Sequence, residues 1–204
     1  MPLGQRMGSM GRTATISRKT RETDIRVELC LDGSGTAEVG TGLPFFDHLL
    51  EALARHGCFD LQARAEGDLE VDQHHTVEDV GIALGQAIRS AVGDGSGISR
   101  FGSARIPMAD ALVSVDLDLS NRPYLVYHVE LVRDWVGQFD AALVEDFLYA
   151  LSTNGGIDLH VNVSYGRSVH HTVEGIFKGL GRALDQATRI DPRITGPLST
   201  KGSL

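Results

Sequence analysis

Cysteine is nearly absent from this chain: only Cys30 and Cys58 occur in 204 residues. Two thiols make no disulfide framework, which fits a reducing cytoplasm, and both are expected to pack as small apolar side chains. No run approaches 18 apolar residues, which excludes a membrane-spanning helix. Basic residues are in deficit: 19 Lys and Arg against 27 Asp and Glu leave a net charge of −8. That balance argues against nucleic acid and anionic membrane as partners, while local basic clusters can still hold a small anion. Aromatics are scarce at 6%, yet the hydrophobic share of 42% and 24 glycines describe a soluble globular chain with ample core material. The opening MPLGQRMGSMG has no apolar stretch of signal-peptide type, so residues 1–11 are expected to form a flexible leader.

What the chain does have is paired histidines. DQHHTVED spans Asp72 to Asp79, and a second copy, VHHTVEG, spans Val169 to Gly175. Each pair has a glutamate four residues after its first histidine: His74 with Glu78, and His170 with Glu174. On a helix that spacing puts imidazole and carboxylate on one face, where they can close on one cation. The second histidine of each pair is rotated by about 100° around the axis and must serve a different partner. Two equivalent helices would then hold two equivalent metals with crossed ligands. Metal A would take His74, Glu78 and His171, and metal B would take His170, Glu174 and His75. Asp79 stands four after His75 and would either compete for metal B or orient an imidazole. A single HH pair reads equally well as a polar surface patch, but two copies sharing Thr, Val and Glu favour metal binding.

The pattern of elements repeats with the histidines. Thr13 to Thr20, Asp24 to Leu31 and Thr36 to Gly40 read as strands. A helix runs from Pro44 to about Arg55, a strand from Phe59 to Ala65, and a helix from Thr76 to about Ala91. VSVDLDLSNRP aligns with IRVELCLDGSG, and VEDFLYALSTNGGIDLHVNV with FDHLLEALARHGCFDLQARA. A period of about 96 residues is too long for a solenoid, so it predicts two fused half-domains, 12–97 and 98–195, in one compact α+β unit. Each half is βββαβα-like, with one sheet covered by two helices, and residues 196–204 form a C-terminal flap. The repeat also sets His48 opposite Asp146, which makes these two the further ligands, one at each metal. His56, His128 and His160 have no repeated partner and are expected at hydrogen-bonded strand or loop positions.

Seven segments in order resemble the imidazoleglycerol-phosphate dehydratase family of histidine biosynthesis. They are RKTRET (Arg18 to Thr23), GLPFFDHLL (Gly42 to Leu50), DQHHTVEDVGIALG (Asp72 to Gly85), ISRFG (Ile98 to Gly102), NRPYL (Asn121 to Leu125), LHVNVSYGRSVHHTVEGIFK (Leu159 to Lys178) and STKG (Ser199 to Gly202). The resemblance implies removal of water from imidazole glycerol phosphate to give imidazole acetol phosphate, with two manganese ions per active site holding the ring nitrogens of the substrate. It also implies a duplicated half-domain of the ribosomal protein S5 domain 2 type, and a large cubic-symmetry shell of about 24 subunits with active sites at subunit contacts. By the same resemblance Glu22 is the base, and Arg100, Arg122, Lys178, Ser199 and Lys201 hold the phosphate. Some members carry histidine where Asp146 stands, and others carry an acid directly after Pro-Met, where this chain has Ala109 and then Asp110.

The chemistry accounts for such a site. The proton beside a secondary alcohol is not acidic, so a carboxylate alone removes it too slowly. Two Lewis-acidic cations favour an imidazolate, which expels the adjacent hydroxyl as water and leaves a diazafulvene-like species whose next proton is far more acidic. Bidentate arginines suit phosphate. Two other classes remain open on the residues alone: a two-metal phosphoester hydrolase, and a metal-assembled scaffold without catalysis.

Overall fold

The computed structural model describes residues 11–131 and 135–202. The expected leader falls almost wholly outside the described residues. In the first half, β1 (Thr13–Lys19), β2 (Thr23–Cys30) and β3 (Ala37–Gly40) precede α1 (Pro44–Gly57), β4 (Asp60–Gly67) and α2 (His74–Val92). The second half repeats the series with β5 (Phe101–Met108), β6 (Ala111–Asp118), β7 (Tyr124–His128), α3 (Leu143–Gly155), β10 (Asp158–Tyr165) and α4 (Val169–Thr188). A short hairpin, β8 (Trp135–Val136) with β9 (Phe139–Asp140), has no counterpart in the first half.

Both sheets have the same topology, β1-β2-β4-β3 and β5-β6-β10-β7. In each, the last pairing is parallel and the others are antiparallel. β2 alternates, burying Ile25, Val27 and Leu29 and turning Arg26 outward, as a strand with one wet face must. The buried faces meet the helices: α2 lies on β1 and β2, α1 on β3 and β4, α4 on β5 and β6, and α3 on β7. Across the pseudo-two-fold, α1 packs on α4 and α2 on α3, so the helices of both halves share one hydrophobic core. The α+β architecture of two matched half-domains is therefore as expected, and no helix among the described residues is long and apolar enough to cross a membrane.

Small residues set how closely the helices approach. A Cβ on Gly181 of α4 would lie 2.4 Å from the Leu53 carbonyl oxygen of α1, and one on Gly85 of α2 would lie 2.6 Å from that of Leu151 in α3. Phe46, Phe147 and Phe177 join α1, α3 and α4 at the centre, with ring centroids 5.4 Å and 5.2 Å apart along the chain of contacts. These close approaches hold the middle and later turns of α1 and α4, and of α2 and α3, against each other across the two halves.

Two local expectations are corrected. α2 starts at His74, two residues before the expected Thr76, following an Asx turn in which Asp72 Oδ1 accepts the His74 N–H at 3.2 Å. Cys58 is exposed and ends α1 in the left-handed region at φ 56°, so it does not pack as a core hydrophobe.

Candidate metal and phosphate site

Both HH pairs occupy the first turn of a long helix. In α4 the Ser168 side chain caps the helix by accepting the His171 N–H at 3.4 Å. His170 and Glu174 are then one turn apart, and His170 Nε2 lies 3.0 Å from Glu174 Oε2. His48 comes from α1 of the other half, its Nε2 3.5 Å from the same oxygen. One ligand atom from each of His48, His170 and Glu174 falls within 4.8 Å of the other two, so the three side chains could hold a metal ion. Two imidazoles and a carboxylate are a donor set that suits first-row divalent cations. Phe45 walls this cluster, its ring centroid 5.0 Å from that of His170.

Glu174 is nearly buried, and its other oxygen takes Lys178 Nζ at 2.8 Å. Burial pushes its carboxyl upward, but hydrogen bonds from Lys178 and His48 outweigh that and hold it below the usual range, so it stays an anion.

The related half carries the looser counterpart. His74 Nε2 is 3.8 Å from Glu78 Oε2, and His74 Nδ1 is 3.5 Å from Asp146 Oδ2 on α3. His48 and Asp146 thus occupy matching places, each reaching across the pseudo-two-fold to the histidine–glutamate pair of the opposite half.

His75 and His171 turn elsewhere, as rotation about the helix axis requires. His75 Nδ1 meets Asp68 at 3.1 Å, and its Nε2 lies 4.0 Å from Glu22 Oε1. The Asp68 hydrogen bond raises the His75 pKa above its ordinary value. His171 Nδ1 meets Asp110 at 2.5 Å. Asp110, bound first by His171 and then by the Ser168 backbone N–H, has its carboxyl held well below the usual range. Neither imidazole comes within 4.0 Å of the opposing cluster's acids among the described residues, so one chain does not assemble the crossed sets by itself.

Asp79 departs from expectation. It is buried, receives Arg18 at 2.9 Å and the Thr23 hydroxyl at 2.5 Å, and so fastens β1 and β2 to α2 instead of facing His75. The orienting acids are Asp68, in the loop after β4, and Asp110, in the β5–β6 turn that corresponds to the turn carrying Glu22. A carboxylate seven residues before His75, in the loop that follows a glycine-ended strand, has no spacing signature that would have singled it out.

Four of the five phosphate-matching residues gather. Arg100, Arg122, Ser199 and Lys201 line one cleft of about 670 Å³, with Arg193 at its wall. Arg100 gives Nε and Nη2 to Asp118 and Nη1 to the Leu198 carbonyl at 2.6 Å, tying the C-terminal segment to the start of β5. Lys178 is not among the cleft residues and stands with Glu174 instead. His56, expected in a strand or loop, lies in the last turn of α1, where burial and the charges of Lys178 and Arg182 lower its pKa. His128 is in β7, and His160 in β10 bonds Asp158 at 3.1 Å.

The β8–β9 hairpin escaped the sequence reading. The Gln73 side chain clamps it beside His74, giving Nε2–H to the Gln138 carbonyl at 2.6 Å and accepting the Asp140 N–H at 3.3 Å. Phe139 stacks on Phe46 and touches Phe45, so the hairpin braces the wall of the His48 cluster. The repeat could not reveal it because the first half has no equivalent.

Known proteins carry the same arrangement of sequence and fold. The family model for imidazoleglycerol-phosphate dehydratase matches residues 41–184. The chain is 54% identical over 195 residues to the imidazoleglycerol-phosphate dehydratase of Geobacter metallireducens, covering 96% of this chain and all of the relative. It is 55% identical over 193 residues to that of Symbiobacterium thermophilum, covering 95% and 93% of the two chains. Among solved structures, the imidazoleglycerol-phosphate dehydratase of Pyrococcus furiosus superposes with a TM-score of 0.80 at 39% identity, covering 93% of this chain and all of that one. The Staphylococcus aureus enzyme gives the same TM-score at 32% identity over 88% of this chain and 99% of its own. The chain belongs to the imidazoleglycerol-phosphate dehydratase family.

Proposed function

We propose that this protein dehydrates imidazole glycerol phosphate to imidazole acetol phosphate in histidine biosynthesis, as a hydro-lyase using two manganese ions per active site. The observation that carries the reading is the convergence of His48, His170 and Glu174, mirrored by Asp146, His74 and Glu78, with an outward imidazole left beside each set. When bound, divalent cations supply the Lewis acidity that makes an imidazole ring easier to deprotonate.

The chain's own residues do the rest. His170 and Glu174 with His48 grip one cation, and His74 and Glu78 with Asp146 grip the other. His75 completes the first of these sets and His171 the second, each on another copy of the chain, which places the active site between subunits and makes self-assembly part of catalysis, in a shell of about 24 copies. Glu22, at the edge of the His75 site, takes the proton released as the ketone forms. Arg100, Arg122, Ser199 and Lys201 hold the phosphate, and Lys178, already beside one cluster, adds a cation from a second copy. The C-terminal flap, residues 196–204, of which 203 and 204 lie outside the described residues, closes over the bound substrate, with the Leu198 carbonyl accepting from Arg100. A phosphoester hydrolase would need a carboxylate shared by the two cations. Here Glu174 faces one cluster and Glu78 the other.

The test incubates the manganese-loaded protein with imidazole glycerol phosphate and looks for the ketone product. Product formation that stops on chelation is expected. A protein that binds manganese and yields no ketone would refute the assignment.

A further inference from the structure

The two outward histidines are held by carboxylates of different freedom. Asp110 Oδ2 accepts two backbone N–H groups, from Arg167 at 2.8 Å and Ser168 at 2.7 Å, while its Oδ1 meets His171 Nδ1. Asp68 offers both oxygens to His75 Nδ1, at 3.1 Å and 3.2 Å, and neither oxygen binds a backbone N–H among the described residues. An ionised carboxylate only accepts hydrogen bonds, so each contact needs a proton on Nδ1, which in the neutral ring leaves Nε2 with a bare lone pair.

We propose that Asp110 and Asp68 are positioning residues that fix His171 and His75 as Nδ1–H tautomers with Nε2 as the donor atom, and that Asp110 alone is locked in orientation. The lock has a chemical consequence. An asparagine at 110 has one carbonyl oxygen, and the N–H groups of Arg167 and Ser168 claim it. Its NH2 must then face His171 Nδ1, which becomes an acceptor, and the ring proton moves to Nε2. An asparagine at 68 is under no such constraint and can turn its carbonyl to His75 Nδ1. Two identical changes of residue type therefore differ in outcome: Asp110→Asn inverts a tautomer and Asp68→Asn preserves one. The tautomers stand on this geometry alone. Their effect on cation binding rests also on the reading of His171 and His75 as metal ligands.

Two measurements on the full-length chain test this. The first is ring 15N NMR of histidine-labelled, metal-free protein, taken at a pH about two units above the ordinary imidazole value and raised further until each ring carries a single proton, because Asp68 holds the His75 pKa up. Wild type should show Nδ1–H at both rings, Asp110→Asn should move His171 to Nε2–H, and Asp68→Asn should leave His75 unchanged. The second is titration with Mn2+ alone, where Asp110→Asn should weaken binding by about 10–100-fold and Asp68→Asn by less than about threefold. An Nε2–H signal at either wild-type ring would overturn the proposal, as would equal behaviour of the two variants. The wild-type spectrum decides even where Asp110→Asn fails to fold. Wild-type Nδ1–H signals in a protein that binds no Mn2+ would uphold the tautomers and refute the metal reading instead.

Discussion

Glu22 shows how a single side chain can be isolated from the machinery around it. Its carboxylate is exposed and, among the described residues, approaches only His75 Nε2 at 4.0 Å and makes no side-chain hydrogen bond. Replacing it with glutamine keeps size and polarity while removing the proton acceptor. Glu22→Gln is expected to lower turnover by about 10²–10⁴-fold, with manganese content and unfolding midpoint unchanged, as read by steady-state kinetics beside elemental analysis. Retained turnover would move the base elsewhere. Residue-scale legibility was uneven for physical reasons. His74, Glu78, His170 and Glu174 could be paired from sequence because helical periodicity fixes which side chains share a face. Asp79 was misjudged by the same rule, since four-residue spacing to His75 says nothing about Arg18 and Thr23 arriving from another sheet layer. Asp68 and Asp110 act through loop geometry, which carries no period.

At the scale of elements, the site depends on how closely helices from opposite halves approach. His48 sits on α1 and its cluster partners on α4, so the separation of these two helices sets the distance across the donor set. Gly181 holds that separation, because a Cβ there would meet the Leu53 carbonyl at 2.4 Å and the Gly57 nitrogen at 2.9 Å, both backbone atoms. Gly181→Val is expected to cost roughly 1–3 kcal/mol of stability by overpacking. It should also weaken Mn2+ binding, measured by denaturant unfolding and by metal titration of the same preparation. Weakened folding with untouched metal affinity would show that the cluster does not depend on this contact. The C-terminal segment gives the complementary case. Its bonds run to Arg100 and to the Gly97 N–H, away from the histidine clusters. Ending the chain after Pro197 removes Ser199 and Lys201 from the cleft that Arg100 and Arg122 line, so on the proposed function it should raise the apparent KM for substrate at least about tenfold and leave metal affinity intact. The succession of strands and helices along the chain was legible from alternation and from the repeat, whereas the order of the strands within each sheet was not. The β8–β9 hairpin was not, because it is short, occurs once, and is held by Gln73 through backbone atoms.

For the whole molecule, duplication explains why the halves match and, on the proposed function, why a second copy would be needed to finish each site. Two copies of a helix that splays adjacent imidazoles give each chain two incomplete donor sets and two imidazoles facing outward, a self-complementary arrangement that another copy can satisfy. On the proposed function, α2 of one subunit meets α4 of another, and His74, His75 and Glu78 of the first would share a site with His170, His171 and Glu174 of the second. That division predicts complementation. His75→Asn and His170→Asn should each be inactive alone, since each damages every site. In a mixed assembly, a site that draws α2 from the His170→Asn chain and α4 from the His75→Asn chain contains no altered residue. Random co-assembly after unfolding and refolding the two variants together should therefore restore about a quarter of the wild-type rate per site. Sites built within one chain would stay damaged in every mixture, so a refolded mixture with no activity beyond the sum of its parts would rule out sharing between subunits.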